Sequence, residues 1–136
     1  MAAYDELMAF QRDTEALGQV AGRLGWDQET MMPRGAAAQR SEEMAAMEGV
    51  LHARRIDPRM ADWLAKIDDA TLGDVEQAQM REIRRSYART VKVPAALAAE
   101  IARVTSRAQG QWAEARSADN VAGFVPVLDE VLRLKR

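Results

Sequence analysis

Residues 24–33, LGWDQETMMP, separate two helical patterns and thereby decide the course of the chain. The proline at its end disfavours helical geometry in the residue before it, so we expect a break near Met31–Met32 and a loop over Glu29–Gly35. Before the break, from Tyr4 to about Trp26, apolar residues recur at the spacing of one helix face. These residues are Leu7, Phe10, Leu17, Val20, Ala21 and Leu24.

The same helical spacing continues beyond the break and predicts five further helices. The second helix runs from about Ala36 to Arg54. Asp57-Pro58 is a good start for the third, with an acid as the N-cap and proline in the first helical position. That helix reaches about Asp69. The fourth opens between Thr71 and Asp74, and the fifth begins at Pro94. The sixth is capped by Asp119 or Asn120 and contains Pro126, which should kink it or set its true start.

Each later helix carries an apolar stripe. In the second, third and fourth helices we expect it to face inward, whereas Ser41, Glu42 and Glu43 should face outward; these inward residues are Met44, Met47, Val50 and Leu51, then Met60, Trp63, Leu64 and Ile67, then Val75, Met80, Ile83 and Tyr87. The stripe of the fifth helix is Leu97, Ile101, Val104, Ala108 and Trp112, and the sixth carries Phe124, Leu128, Val131 and Leu132. The hydrophobic fraction is 48%, but it includes 26 alanines, and aromatic residues are only 5%, so the core should be thin. We predict an all-α fold, an antiparallel bundle of about six helices, with residues 1–136 as one domain.

Composition excludes several classes of function. The net charge of −2 gives no basic excess for nucleic-acid binding, and the cluster Arg81, Arg84, Arg85 and Arg89 is typical of a solvated helix face. The absence of cysteine excludes disulfides, thiolate metal sites and cysteine nucleophiles, and it fits a reducing compartment. No signal-peptide pattern opens the chain, and no apolar run approaches the about 18 residues of a membrane span. We expect a cytoplasmic protein without a membrane or nucleic-acid partner.

Residues suited to catalysis are scarce. His52 is the only histidine, whereas a catalytic zinc commonly takes two or three, so we expect a structural role for it near the end of the second helix. No serine lies in a nucleophile elbow, and no glycine-rich loop could cradle a phosphate. We therefore assign no catalytic residue, no metal ligand and no cofactor to this chain.

The helix–loop junction carries an unusual combination of side chains, which makes it the candidate functional site. We expect Trp26 to be mostly buried there, and Asp27 or Thr30 to bond backbone groups of the Glu29–Gly35 loop. A substrate-facing role for Asp27 is the alternative. The candidate site residues are Trp26, Asp27, Thr30, Met32 and Pro33.

These five residues resemble the Trp-Asp-x-x-Thr-x-Met-Pro stretch of carboxypeptidase Taq-type metallocarboxypeptidases. The resemblance extends over nearly the whole chain. It continues in Gly35-Ala36, Arg40, His52, Asp57-Pro58, Trp112, Ala115-Arg116, Phe124, Pro126 and Leu128. In the family an acidic residue commonly follows the histidine, whereas Ala53 does so here.

The resemblance implies a parent enzyme that removes C-terminal residues from peptides. Members are several times longer and almost entirely helical, with a deep cleft. Their divalent metal, which we expect to be zinc, is held by a His-Glu-x-x-His helix and a later glutamate, neither of which occurs in this chain. No helix stop signal follows Leu134, so we expect a piece of a longer polypeptide. It would be an N-terminal wall or cap of the cleft, inactive alone.

Two other functions are compatible with the sequence. One is a non-catalytic helical module that binds a partner helix in an apolar groove, to which the methionines Met31, Met32, Met44 and Met47 could contribute. The other is a self-associating bundle. If the chain is one part of a larger fold, an uncovered apolar face should pair with a second copy and give a homodimer. The candidates for that face are Ile101, Trp112, Phe124, Val131 and Leu132.

Overall fold

The computed structural model describes residues 2–136, and six α-helices account for most of them. No strand occurs in that range, so the prediction of an all-α fold with about six helices is confirmed. The helices are α1 (Ala2–Thr30), α2 (Ala37–Arg55), α3 (Pro58–Lys66), α4 (Asp74–Thr90), α5 (Ala95–Ser117) and α6 (Val121–Leu134). Short 3₁₀ turns at Arg34–Ala36 and Asp69–Thr71 precede α2 and α4.

Two predicted helix ends were misplaced. α1 continues to Thr30 rather than ending near Trp26, because the proline constrains only the residue before it and leaves the preceding turn free to stay helical. α3 ends at Lys66 rather than Asp69. There the side chain of Asp68 accepts a hydrogen bond from the amide of Ala70 and opens a separate 3₁₀ turn.

Long-range contacts show that neighbouring helices are antiparallel. Between α1 and α2, Arg40 reaches Asp27 and Arg54 reaches Thr14, so positions rise along one helix as they fall along the other. Between α2 and α5, Arg103 bonds Glu42, and His52 bonds the backbone of Val93. α2 therefore lies between α1 and α5, and the predicted antiparallel arrangement is confirmed.

The large buried side chains gather in one half of the molecule, where α1 meets α3 and α4. Phe10 and Trp63 lie with ring centroids 5.4 Å apart, and the indole nitrogen of Trp63 donates to a carboxylate oxygen of Glu6 at 2.9 Å. The other half buries Leu51, His52 and Val104 together with several small residues, which let helix backbones approach closely. The large core residues are Tyr4, Leu7, Phe10, Met60, Trp63, Leu64, Leu72 and Met80, and small ones buried along α2 and α5 are Ser41, Ala45, Ala98, Ser106 and Ala108.

Some predicted faces were wrong. Ser41 was expected to face outward but is buried, and its hydroxyl donates to the carbonyl of Ala38 at 2.6 Å. Val50 and Val75 were expected inside but are exposed. α2 contacts helices on two sides, so the face beside α5 is lined by residues too small to register as an apolar stripe.

Both predicted caps with a clear sequence signal are present. The side chain of Asp57 accepts from the amide of Arg59 at 2.9 Å and caps α3. Hydrogen bonds from the Arg59 side chain and backbone lower the pKa of Asp57 to about 2. Asn120 rather than Asp119 caps α6, because its side chain accepts from the amide of Gly123. Asp119 instead adopts the left-handed conformation, with φ of 53°, in the preceding turn.

His52 is buried and has the structural position predicted for it. A carbonyl oxygen can only accept, so the ring Nε2 donates to the carbonyl of Val93 at 2.8 Å. This bond joins the end of α2 to the turn that precedes α5. The ring thus contributes this hydrogen bond and its packing.

We expect His52→Ala to lower the free energy of unfolding by about 2 kcal/mol, because the Val93 carbonyl loses its donor and the buried ring is not replaced. Urea denaturation followed by circular dichroism measures the change. The neighbouring exposed position supplies the control, Ala53→Ser, which should shift stability little. Equal effects at both positions would contradict a structural role for the ring.

Candidate functional site

The candidate site is the C-terminal end of α1, where the chain turns into α2. The amides of Met31 and Met32 both donate to the carbonyl of Asp27, at 2.9 Å each. The hydroxyl of Thr30 donates to the carbonyl of Trp26 at 2.7 Å. These bonds supply additional donors to carbonyls in the last turn of the helix.

Arg40 of α2 clamps this end of α1 in place. Its guanidinium donates to the carbonyl of Leu24 at 2.5 Å, to Oδ2 of Asp27 at 2.6 Å and to Oε2 of Glu43 at 2.8 Å. The side chain is only 12% exposed, so these partners replace most of its water. Hydrogen bonds to Asp27 and then to Glu43 raise the pKa of Arg40.

Two predictions about the junction were wrong. The Asp27 side chain does not bond the loop backbone but pairs with Arg40, and Thr30 bonds back into its own helix. Trp26 is 64% exposed rather than buried. Trp26 is exposed because α1 remains helical here. It lies about 200° around the helix axis from Leu24, which hydrogen-bonds to α2, and from Gln28, which hydrogen-bonds to α5.

A pair of hydrogen bonds between Gln28 and Ser106 also holds this end of α1, and the sequence did not predict it. The amide nitrogen of Gln28 donates to the carbonyl of Ser106 at 2.6 Å, and the hydroxyl of Ser106 donates to Oε1 of Gln28 at 2.9 Å. This reciprocal pair joins α1 to α5, and Ser106 is buried. Neither residue carries a signal of its own, because a glutamine and a serine 78 positions apart reveal their contact only after folding.

A recess of about 200 Å³ lies beside the junction and brings Asp27, Met32, Pro33 and Arg40 together. Trp26 and Thr30 do not line it. Its volume is below the about 300–1,000 Å³ typical of small-molecule sites. The ionic groups within it, Asp27, Arg40 and Glu43, are bonded to one another. This geometry suits a structural joint with an exposed apolar rim, and it offers no unengaged acid or base for catalysis.

The described residues do not fit a metal centre. Within residues 2–136, no three side chains of histidine, cysteine, aspartate or glutamate come together in a group that could hold an ion. His52 directs Nε2 at a backbone carbonyl, far along α2 from the candidate site. The proposal that the purified chain binds no metal stays a prediction, and no reaction step is derived through a metal.

The larger groove lies elsewhere, between α1 and α4, with a volume of about 870 Å³. Met8, Met60 and Ile83 contribute apolar surface, and charged residues of both signs also line it: Arg12, Arg55, Asp5, Glu15 and Glu82. Met44 and Met47, considered above as possible groove residues, are half-buried on α2 and do not line it. The methionine pattern was therefore a poor guide to the position of the main groove.

No helix among residues 2–136 combines the length and the apolar character that crossing a bilayer requires.

Comparison with known proteins agrees with the helical architecture and with the resemblance noted in the sequence. A model of the carboxypeptidase Taq (M32) metallopeptidase family matches residues 6–136. The chain belongs to this family. The resemblance seen in the sequence is thereby confirmed over nearly its whole length.

Two curated relatives of this M32 chain are named thermostable carboxypeptidase 1. The Thermus thermophilus protein is 37% identical over 139 residues, covering 99% of this chain and 27% of the relative. The Pyrococcus furiosus protein is 26% identical over 132 residues, covering 96% of this chain and 26% of the relative. The chain thus spans about a quarter of the length of these relatives.

A solved structure has the same fold. The structure titled BsuCP Crystal Structure superimposes with a TM-score of 0.91 at 17% identity, covering 98% of this chain and 27% of that one. At this identity the likeness concerns the fold alone. It shows that the helical arrangement described here also occurs within a much longer chain.

We expect Arg40→Met to lower the free energy of unfolding by about 2–3 kcal/mol, since the Leu24 carbonyl and the Asp27 carboxylate both lose a charged donor. Arg34→Met is the matched control, because Arg34 pairs with Glu114 at the surface, where an ion pair contributes at most about 1 kcal/mol. Urea denaturation of both variants measures the difference.

We expect Asp27→Ala to lower the free energy of unfolding by about 1 kcal/mol or more, measured in the same way. An unchanged free energy of unfolding would favour a substrate-facing role for Asp27.

Proposed function

We propose that this M32 chain is the N-terminal helical part of a metal-dependent carboxypeptidase that removes C-terminal residues from peptides. The observation that carries the proposal is the family match over residues 6–136, together with relatives that are carboxypeptidases nearly four times as long. The segment would form part of the wall or cap of the cleft that receives the end of the peptide. Its physical role would be to exclude water and restrict access.

The contacts at the junction support a wall rather than a catalytic element. The ionic side chains there, Asp27, Arg40 and Glu43, are engaged in holding α1 against α2. A wall element must keep its shape while substrate enters, and a buried arginine with three partners provides such rigidity. The divalent metal of the complete enzyme, zinc in our proposal, would be held by residues outside this segment.

The proposal predicts that the isolated chain does not hydrolyse N-blocked dipeptides when zinc is added. A chimaera can be made by replacing the matched segment of the Thermus thermophilus carboxypeptidase with this chain. This chimaera should hydrolyse the same dipeptides. We expect the kcat/KM of the chimaera to lie within about tenfold of the value for the Thermus thermophilus enzyme. A tenfold decrease corresponds to a loss of about 1.4 kcal/mol of transition-state stabilisation.

The control is the Thermus thermophilus enzyme with the matched segment deleted, which should be inactive. A chimaera that folds and binds its metal but hydrolyses no peptide would contradict the proposed function. Hydrolysis by the isolated chain would contradict the part of the proposal that makes it inactive alone.

A non-catalytic binding module is the second candidate, and the groove between α1 and α4 favours it. Its volume of about 870 Å³ lies within the range of binding sites, and an apolar floor with charged margins suits an amphipathic helix. The chimaera separates the two candidates, because a segment that acts only as an independent binding module would not restore peptide hydrolysis.

We also propose that the protein is cytoplasmic and that the isolated chain forms a homodimer. The lack of cysteine supports a reducing compartment. Exposed apolar residues support pairing, although only two of the five predicted contact residues, Trp112 and Leu132, are exposed. Ile101, Phe124 and Val131 are half-buried, so the face is displaced from the one that the sequence indicated.

Sedimentation over a range of concentrations tests the homodimer. We expect a monomer–dimer equilibrium that moves toward monomer in Leu132→Glu, because a charge in an apolar contact is costly to bury. Lys135→Glu, an exposed position close by, should leave the equilibrium nearly unchanged. A wild-type chain that stays monomeric at high concentration would contradict the homodimer.

A further inference from the structure

Helix α6 has two apolar faces, and the described contacts account for one of them. Phe124, Val127, Val131 and Leu134 are half-buried, and α5 is the helix against which α6 chiefly packs. The second face consists of residues that we call the α6 stripe. They are Val121, Val125, Leu128 and Leu132, which are 76%, 44%, 43% and 44% exposed.

The spacing of the α6 stripe is that of a helix–helix contact. Successive members are four, three and four residues apart, so all four lie within a narrow arc of the helix surface. Single exposed apolar residues are ordinary on a protein surface, but a row along the whole of one helix is not. The same alternation of three and four forms the seam where one helix packs along another.

Other exposed apolar residues lie toward the start of the stripe. Arg107 of α5 pairs with Glu130 of α6, and the two helices are joined by a short turn, so Trp112 lies about level with Val125. Trp112 is also exposed. The contact between Arg34 and Glu114 places this end of α5 beside the junction of α1 and α2, where Trp26 is exposed. Trp112 and Trp26 are thus further exposed apolar residues toward this end of the bundle.

We infer that the α6 stripe is the docking face for an amphipathic helix from the metal-binding part of the complete carboxypeptidase. This inference rests on the proposed function. The relatives supply the argument for this occupant, because the matched segment is only 27% of the Thermus thermophilus protein and 27% of the superimposed structure. In both, most of the chain lies outside the bundle and is available to cover such a face.

The charges at the ends of α6 indicate the orientation and chemistry of the docked helix. Asp119 precedes the first turn, whereas Arg133, Lys135 and Arg136 lie at the other end. Acidic residues are favourable in the first turn of a helix and basic ones in the last. An antiparallel docked helix would therefore place its acidic first turn beside the basic end of α6. Beyond that turn, its apolar residues would recur at three- and four-residue spacing and face the α6 stripe.

Thiol labelling tests the inference, because this chain contains no cysteine. Leu128→Cys lies in the α6 stripe, and Ala122→Cys is an exposed control on the same helix, about a third of a turn around the axis from Leu128. Each is made in the isolated chain and in the chimaera described above. Maleimide labelling is followed by mass spectrometry of the peptide that carries the new thiol, at a concentration where the isolated chain is monomeric.

We expect Leu128→Cys to be labelled about tenfold more slowly, or slower still, in the chimaera than in the isolated chain, because the docked helix must open first. The control should react at similar rates in both. Val125→Cys, a smaller change in volume, repeats the test if Leu128→Cys does not fold. Equal rates in the two settings at the stripe would overturn the inference.

The outcomes separate this inference from the proposed function. A chimaera that hydrolyses peptides while Leu128→Cys remains freely reactive would overturn docking alone. An inactive chimaera in which Leu128→Cys is protected would support docking and contradict the proposed function. Protection that appears only in concentrated isolated chain, and not in the chimaera, would show that a second copy occupies the stripe and would overturn the inference.

Discussion

The buried guanidinium of Arg40 holds together the turn on which the rest of the fold depends. It joins the last turns of α1 to the start of α2, and that joint sets the antiparallel course of the two helices. Farther along, Arg54 of α2 meets Thr14 of α1, so the two helices stay in contact over several turns. An arginine can be buried in this way only when each of its partners is correctly placed. The clamp therefore resists local rearrangement.

Because Arg40 engages some residues of the family motif and not others, the residues of that motif have different roles. Asp27 and the Leu24 carbonyl are engaged by Arg40, and Thr30 covers a helix carbonyl, so these polar groups serve the architecture. Trp26 and Met31 are left at the surface. The polar side chains of the motif are thus engaged in hydrogen bonds that fix the end of α1.

The molecule is asymmetric in its packing, and this asymmetry bears on the proposed role. Large side chains fill the space between α1, α3 and α4, whereas most of the residues buried on α2 and α5 are small, apart from Leu51, His52 and Val104. α6 packs mainly on α5 and has no fully buried residue. One side of the bundle is therefore self-sufficient, and the other retains apolar surface suited to further packing, as expected of a part of a larger helical enzyme.

The sequence by itself determined the helices, the break before α2, the cap at Asp57 and the family, and it limited the cap of α6 to Asp119 or Asn120. Each of these depends on neighbours a few positions away or on a short motif. The sequence also singled out the junction as the candidate site. Only the tertiary structure decided which helix faces became interior. Ser41 is buried and Trp26 exposed because those positions depend on which helices meet, and the Gln28–Ser106 pair joins residues 78 positions apart. Periodicity shows that a helix has an apolar face, but not what lies opposite its other sides.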